Sequence, residues 1–388
     1  MNKKQRLVTS LSANKLADLL ISAKSTLPAL LITVGAPAWM ISWLVPIRES
    51  GALLPQSVIG ILLRRMSARH TVWRAGIVVQ MAACLVIVAA ALMFKNSDAG
   101  WVILVALVVL SLGRSACSLT VKDIEANIAT KGERGDLLGK ASTASGVMTL
   151  MVAVPLVFFE QSMGLTIIVA LVATATAALL FTLLILLPVT TYVDTGEVSG
   201  NTDNQARFWQ FDSVIYRFIL VRSLFVHSAL VAPYFMLESE SDAEALLPLY
   251  LAAQAAAAML SSLLWGRLSD YSARRTLQLA GSIAVVACAG LLWLKSDNIW
   301  LSGLLFFMLS VAHTGVRTGR KTYSLDVREG QSRTELVAFS NTAIGIVLLA
   351  FGALYAILPS VISFSVVYIM TTVLVIAIGL TLILPKEK

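Results

Sequence analysis

The chain has 388 residues, of which 57% are hydrophobic and 13% charged, with a mean hydropathy of +0.82 and a formal net charge of +8. Soluble domains carry about a quarter charged residues, so this composition excludes a soluble globular protein and indicates a polytopic membrane protein. The positive charge does not indicate nucleic-acid binding, because most of the cations are concentrated in every second connection between apolar segments.

Uncharged apolar segments recur along the chain, and each can cross a hydrocarbon core, which takes about 20 helical residues. A longer apolar run, 336–385, is expected to divide at Leu358–Ser360 because a proline lies there. The runs are continuous rather than alternating, which favours helices over a β-barrel. We predict an all-α integral membrane protein whose twelve transmembrane helices form two pseudo-symmetric six-helix bundles.

One segment of eleven residues occurs twice, as Gly113–Asp123 and as Gly319–Glu329, 206 positions apart. Glycine, arginine, a Ser-Leu pair, valine, a cation and an acid recur in register, and Pro28 matches Pro233 at nearly the same offset. Self-similarity at a fixed offset indicates one ancestral unit used twice. We therefore expect two structurally equivalent halves.

The predicted halves span residues 1–193 and 214–388, and a polar cytoplasmic linker over 194–213 joins them. Lysine and arginine cluster in alternate connections, at residues 3–6, 64–74, 122–140, 207–217, 267–275, 317–333 and 386–388. Under the positive-inside rule these connections and both termini lie in the cytoplasm. The protein is therefore expected to lie in the lipid bilayer of the cell membrane, which is the inner or plasma membrane. We also expect it to function as a monomer.

The first two helices are predicted over residues 16–34 and 38–63, with an outer turn at Gly35–Pro37. Lys24 lies twelve residues before the centre of this turn and Glu49 thirteen residues after it. In an antiparallel helical hairpin the two side chains would reach the same depth near the middle of the bilayer. We therefore predict that Lys24 and Glu49 form an ion pair.

A charge in the middle of a membrane costs about 2.5 to 3.5 kcal/mol on insertion scales, so it is kept where it faces a bundle interior or a wet cavity. Lys24, Arg48, Glu49 and Gln56 are therefore candidates for solute binding or proton coupling. The alternative is that Lys24 and Glu49 only hold two helices together, with Arg48 snorkelling or satisfied by carbonyls. Asp18 lies nearer the cytoplasmic end, where an ordinary helix-end charge is equally compatible.

Between predicted helices 8 and 9 lies Gly266-Arg-Leu-Ser-Asp270-Tyr-Ser-Ala-Arg274-Arg275. This segment resembles the G-x-L-x-D-x-x-x-R-R/K signature of the major facilitator superfamily of secondary transporters. Because the predicted topology of two six-helix halves with a central cytoplasmic loop also resembles that superfamily, the resemblance covers essentially the whole chain. The resemblance implies that Gly266 permits a tight turn and that Asp270 and Arg274 form a charge relay at the cytoplasmic gate. In the first half Arg65 stands in the place of Asp270. Alternatively, these cations only set the topology.

Helices 3 and 4 are predicted over residues 72–94 and 101–119, so the repeated segment places Arg114 inside helix 4 and Arg320 at the end of helix 10. Either guanidinium could clamp an anionic solute. Either could instead brace the gate by pairing with an acid further along the repeat, Asp123 or Glu329. The cations next to these acids are expected in the cytoplasmic headgroup layer: Lys122 and Arg328.

Helices 7 and 8 should form a hairpin equivalent to the first one. His227 and Gln254 lie fourteen and thirteen residues from its expected turn, which predicts that they meet at one depth. Gln254 is the repeat partner of Glu49, so proton traffic is expected in the first half. Arg222 lies deeper toward the cytoplasm. His227 and, in helix 10, His313 have side chains that titrate in the physiological pH range. A lone histidine in a membrane is, however, more often a hydrogen-bond donor between two helices.

These features predict a secondary active transporter that moves a small solute by alternating access and is coupled to protons through Glu49. Lys24 and Arg48 also leave open that Glu49 is a fixed member of an ion pair. The cationic surplus favours an anionic or carboxylated solute. The alternatives are a drug or metabolite exporter of the same fold, which Ala153-Val154-Pro155 in place of the antiporter Gly-Pro disfavours, and a transport-inactive membrane sensor.

An enzyme is not expected, because the sequence contains neither H-E-x-x-H nor G-x-x-x-x-G-K-[ST]. Cys84, Cys117 and Cys288 are spaced unlike metal or redox motifs and are predicted to be buried free thiols. We therefore expect no metal site and no cofactor.

Overall fold

The computed structural model describes residues 1–64, 66–128, 134–158, 164–192, 213–239, 243–294, 298–326 and 330–384. Regular structure in these ranges is helical, apart from one isolated bridge between Ala68 and Tyr192. The predicted linker lies outside the described residues except for Ser213, which begins a helix. We call the part before the linker the N-terminal half and the part after it the C-terminal half.

Nine helices make up the N-terminal half: α1 (Lys3–Leu20), α2 (Thr26–Thr33), α3 (Ala38–Ile41), α4 (Leu44–Leu53), α5 (Pro55–Arg64), α6 (Arg69–Met93), α7 (Asn96–Ile128), α8 (Arg134–Phe158) and α9 (Leu165–Leu186), within the described ranges. The described part of the C-terminal half contains α10 (Ser213–Phe225), α11 (His227–Leu230), α12 (Ala232–Leu237), α13 (Ala243–Tyr271), α14 (Ala273–Trp293), α15 (Ile299–Asp326), α16 (Gly330–Ile357) and α17 (Val366–Leu380).

Ten helical segments among the described residues are long and apolar enough to cross a membrane. Their outer faces carry large apolar side chains such as Leu85, Val105 and Leu184, which are 56%, 61% and 55% exposed. Such surfaces suit contact with acyl chains rather than water. The chain is thus a multi-pass membrane protein, and the predicted division at Leu358–Ser360 is confirmed, because a 3-10 turn there separates α16 from α17.

The first two predicted helices are not continuous, which corrects the sequence-based bounds. Residues 21–25 interrupt the first between α1 and α2, and residues 42–43 interrupt the second between α3 and α4. Proline lacks an N–H and its ring clashes with the carbonyl four residues earlier. Pro28 therefore disfavours helix at Lys24, and Pro46 disfavours it at Ser42.

The turn between α2 and α3 is where the sequence places it. Gly35 adopts φ +78°, in the left-handed region that favours glycine. A Cβ at this position would lie 2.7 Å from Oδ1 of Asn96, the first residue of α7. We call the end of the bundle that holds this turn the turn end, and the end that holds the start of α1 and Leu384 the terminal end.

The two halves contact each other at the turn end through polar side chains. Thr33 donates to Glu244 Oε1 at 3.1 Å, and the hydroxyls of Ser42 and Tyr234 lie 2.8 Å apart. Nearby, α16 packs closely on α3 and α4, because Gly352 leaves no room for a side chain beside Pro46. Gly345 packs just as closely on the N-terminal half, because a Cβ there would lie 2.6 Å from the Leu54 side chain.

The prediction of a tight turn at Gly266, which the resemblance implies, is wrong. Helix α13 continues through Gly266 to Tyr271, and a Cβ at residue 266 would meet no atom within 4 Å. The chain turns instead at Ser272, whose hydroxyl caps α14 by accepting a bond from the Arg275 N–H at 3.2 Å. Serine is a favoured N-cap residue because its oxygen satisfies a free helical N–H, so the turn forms there and leaves residue 266 helical.

Candidate functional site

A cavity of about 580 Å³ lies between the two halves. This volume falls within the range of about 300 to 1,000 Å³ that is typical of small-molecule sites. Its cationic lining residues are Lys15, Lys24, Arg48, Arg114, Lys122 and Arg317. Its acidic lining residues are Asp18, Glu49 and Glu125. The cavity therefore carries twice as many cations as acids.

Asp18 is the centre of the ion pairs on one wall of this cavity. Arg48 Nη2 lies 2.8 Å from Asp18 Oδ1, and Arg114 Nη1 donates to the same oxygen. The three residues belong to α1, α4 and α7, so one carboxylate links three helices. The sequence leaves Asp18 undecided between a role in binding or proton coupling and that of an ordinary helix-end charge, and it does not predict these ion pairs.

The predicted ion pair between Lys24 and Glu49 is wrong. Both side chains line the cavity, but in the described part of the chain they attract each other only at longer range and make no direct ion pair. The prediction counted helical residues on both sides of the turn, whereas Lys24 lies in the break between α1 and α2. The other charges that act on Glu49 are Arg320, Arg114 and Arg317.

Arg114 does not brace Asp123, which corrects one of the two roles considered for it. The two residues are nine positions apart on the continuous helix α7, which places them about 13 Å apart along the axis and on opposite faces. Asp123 pairs instead with Arg69 at 3.2 Å. Arg114 points to Asp18 and the cavity, and its side chain is 37% exposed.

Two of the residues predicted to take part in solute binding or proton coupling line the cavity from the C-terminal half: Gln254 on α13 and His313 on α15. Gln254 Oε1 accepts a hydrogen bond from Ser22 at 3.0 Å, which joins the two halves at the break after α1. His313 Nδ1 lies 3.2 Å from the Ser228 hydroxyl, and both residues line the cavity.

His227 does not meet Gln254 and does not line the cavity, contrary to prediction. It is fully buried, with Nε2 at 2.5 Å from the Tyr355 hydroxyl and Nδ1 at 2.8 Å from the Leu224 carbonyl oxygen. The seventh predicted helix is divided into α10, α11 and α12, so the helical count that paired His227 with Gln254 does not hold. Here His227 fastens α11 to α16.

Arg222 and Gln56 also lie outside the cavity lining. Arg222 donates to the Ser340 hydroxyl at 2.6 Å and to Asn341 Oδ1 at 2.8 Å, and Asn341 in turn donates to Gln56 Oε1 at 3.4 Å. These residues form a second polar cluster, which joins α10 and α16 to α5 of the other half.

The predicted gate residues lie near the terminal end of the described bundle. Asp270 is exposed, Arg274 donates to the Leu384 carbonyl at 3.4 Å, and the Arg275 guanidinium lies 5.4 Å from the centre of the Tyr271 ring. Arg320 lies inside α15 rather than at its end, because that helix continues to Asp326. Two predicted gate residues lie outside the described residues: Arg328 and Glu329.

Cys84, Cys117 and Cys288 are buried free thiols, as predicted. Within the described ranges there is no group of three or more histidine, cysteine, aspartate or glutamate side chains that could hold a metal ion.

No family model matches the chain, and no curated protein sequence matches it. Among solved structures, a D-xylose-proton symporter superposes with a TM-score of 0.74 at 15% identity, over 99% of this chain and 98% of that one. A POT family transporter in complex with a thioalcohol-conjugated peptide gives a TM-score of 0.73 at 9% identity, over 98% and 94%. The inward open xylose transporter XylE from E. coli gives 0.71 at 13% identity, over 99% and 96%. The chain therefore shares the fold of these solved transporter structures.

Proposed function

We propose that this chain is a secondary active transporter that moves a small solute across the cytoplasmic membrane by alternating access. The observation that carries the proposal is the cavity of about 580 Å³, which both halves line with ionised side chains. Ionised groups within membrane segments are retained where they face a wet chamber and serve a substrate or proton path. The solved structures of the same fold are those of secondary transporters.

The broken helices at the cavity support the same function. Helices α1–α2 and α3–α5 would supply two crossings beyond the ten membrane-spanning segments described above, which gives the twelve that the sequence predicts. Transporters commonly use discontinuous helices at the site of binding, because unwound backbone there offers free N–H and C=O groups to a solute. Lys24 and Ser22 lie in such a break, and both line the cavity.

The distribution of cations supports an orientation with both termini in the cytoplasm. The terminal end would then face the cytoplasm and the turn end the outside. Thr33–Glu244 and Ser42–Tyr234 join the halves at the turn end, whereas Lys122 and Arg317 line the cavity toward the terminal end. We take this arrangement as the inward-facing state of the transport cycle.

Proton coupling is assigned to Glu49. This carboxyl group lines the cavity, and in the described part of the chain Lys24 does not hold it in a direct ion pair, so it can be reached from the cavity. Its repeat partner Gln254 lines the same cavity with a neutral amide, which cannot carry a proton in the same way. Six cationic lining residues against three acids favour an anionic or carboxylated solute.

Reconstitution tests this function directly. The purified protein is placed in liposomes that enclose a pH-sensitive dye, and a panel of small carboxylates is added under an imposed proton gradient. We expect wild type to move protons with at least one carboxylate and Glu49→Gln to fail. Glu238→Gln is the matched control, because this acid is exposed and lies outside the cavity, and it should behave as wild type.

Two outcomes would contradict the proposal. If the gradient still drives solute movement in Glu49→Gln, the coupling residue is wrong. If carboxylates stabilise wild type against heat but move neither themselves nor protons, the chain is a sensor with a transporter fold. An exporter would show the same coupling with the solute moving against the proton flow.

A further inference from the structure

We propose that Arg48 and Arg114 form the oxyanion-binding subsite of the cavity, and that Asp18 occupies this subsite until an anionic group of the solute displaces it. The inference rests on the proposed function in so far as the cavity is the solute site. Its chemical class is a carboxylate or phosphate group that accepts hydrogen bonds from two guanidinium groups.

The first step of the argument is charge. Two guanidinium groups share one carboxylate, and both donate to the same oxygen, Asp18 Oδ1. Arginine stays protonated in proteins, so the cluster keeps one uncompensated positive charge. Among the described residues, Glu49 makes no direct ion pair with either arginine, so it does not take the place of a second anion in the cluster. A solute with one anionic group would neutralise the cluster.

The second step is an unused donor. Arg48 is only 8% exposed, and its Nη1 is buried without a hydrogen-bond partner in the described part of the protein. A buried charged donor without an acceptor is costly, so a wall that keeps one is suited to an incoming acceptor. Arg48 lines the cavity, so an acceptor within the cavity can reach this side chain. A carboxylate or phosphate has the geometry to bridge two guanidinium forks.

The third step is access. The Arg114 side chain is 37% exposed and that of Asp18 is 23% exposed, and both line the cavity. A solute anion therefore meets Arg114 first and can replace Asp18 as its acceptor without any helix separating. In this exchange the arginines replace one oxyanion acceptor by another, and Asp18 loses the hydrogen bonds that it accepts from them. Asp18 thus acts as an internal competitor that sets the affinity.

The proposal is tested by ligand binding to the purified full-length protein in detergent, measured as the shift in melting temperature. The probes are succinate, its neutral analogue succinamide and inorganic phosphate, at constant ionic strength. We expect succinate or phosphate to stabilise wild type and succinamide to have no effect. The better of the two anions tells whether the subsite prefers a carboxylate or a phosphoryl group.

The variant that decides the matter is Asp18→Asn, because it should gain affinity, which a misfolded protein cannot do. Removing the competitor should lower the dissociation constant for the preferred anion about tenfold, while Arg114→Gln should raise it at least tenfold. Arg217→Gln is the matched control, since this arginine is exposed on α10 and outside the cavity, and it should bind as wild type.

The proposal is overturned if Asp18→Asn binds no more tightly than wild type, if succinamide stabilises as well as succinate, or if neither anion stabilises any variant. These results are separable from the proposed function. If wild type transports a solute but Asp18→Asn binds the preferred anion no more tightly than wild type, only the proposal of the oxyanion-binding subsite is refuted. Arginine-dependent binding without transport would refute the transporter alone.

Discussion

Asp18 and Arg48 form an ion pair at 2.8 Å between α1 and α4, and the oxygen of Asp18 that receives Arg48 also receives Arg114 from α7. A single carboxylate thus holds three helices of the N-terminal half together along one wall of the cavity. The same carboxylate neutralises part of the charge of both arginines, so structure and solute binding depend on the same side chain.

Replacing Asp18 with alanine should destabilise the protein. Removing one partner of a buried ion pair typically costs about 3 to 5 kcal/mol, and we expect the lower end because Arg114 is partly exposed. The melting temperature in detergent measures this, with Glu238→Ala, which removes an exposed acid and its hydrogen bond from Ser365, as the control. A melting temperature equal to that of the control would show that Asp18 does not stabilise α4 and α7.

Two glycines should respond in opposite ways to alanine. In Gly352→Ala the new Cβ would meet Pro46 at 2.7 Å and push α16 away from the N-terminal half, which lowers the stability of this conformation. In Gly266→Ala the Cβ meets no atom, and alanine favours an α-helix by about 1 kcal/mol over glycine. Melting temperatures should therefore fall for Gly352→Ala and rise slightly for Gly266→Ala. A lower melting temperature for Gly266→Ala would contradict the helical conformation of residue 266 and would support the tight turn that the resemblance implies.

The contact of His227 with Tyr355 should matter for stability and not for proton coupling. Tyr355→Phe removes the hydroxyl that lies 2.5 Å from His227 Nε2, and loss of a buried hydrogen bond costs about 1 to 3 kcal/mol. Neither residue lines the cavity, so the dependence of transport on pH should stay that of wild type. If the dependence of transport on pH is shifted in this variant, His227 takes part in proton coupling after all.

The membrane spans could be predicted from the sequence because they depend on the length of apolar runs, a local property. The same holds for the turn at Gly35 and for the division at Leu358–Ser360. The partners of the buried charges could not be predicted, because they depend on where helices break. Pro28 and Pro46 were visible signals of two breaks, and a count that allowed for them would not have paired Lys24 with Glu49.

The importance of Asp18 was also hidden by its position. An acid near the end of a predicted helix is compatible with solvent, and only the packing of α4 and α7 against α1 shows that two arginines converge on it. The pairing of Arg114 with Asp123 was considered with helix 4 ending at residue 119, and it fails because α7 continues through Asp123 to Ile128, which places the two side chains on opposite faces of one helix. The seventh helix is also divided, at Val226 and at Val231, and Pro233 lies in the first turn of the helix that follows the second of these breaks.

Separation of the two halves at the turn end is the movement that alternating access requires, and a cross-link tests it most directly. Thr33 and Glu244 contact each other there at 3.1 Å, so cysteines at both positions can be joined by a short bismaleimide in proteoliposomes. We predict that the link stops transport of the carboxylate that stabilises the protein most, leaves its binding intact, and has no effect on either single-cysteine variant. Transport that continues at the wild-type rate with the link in place would contradict the account.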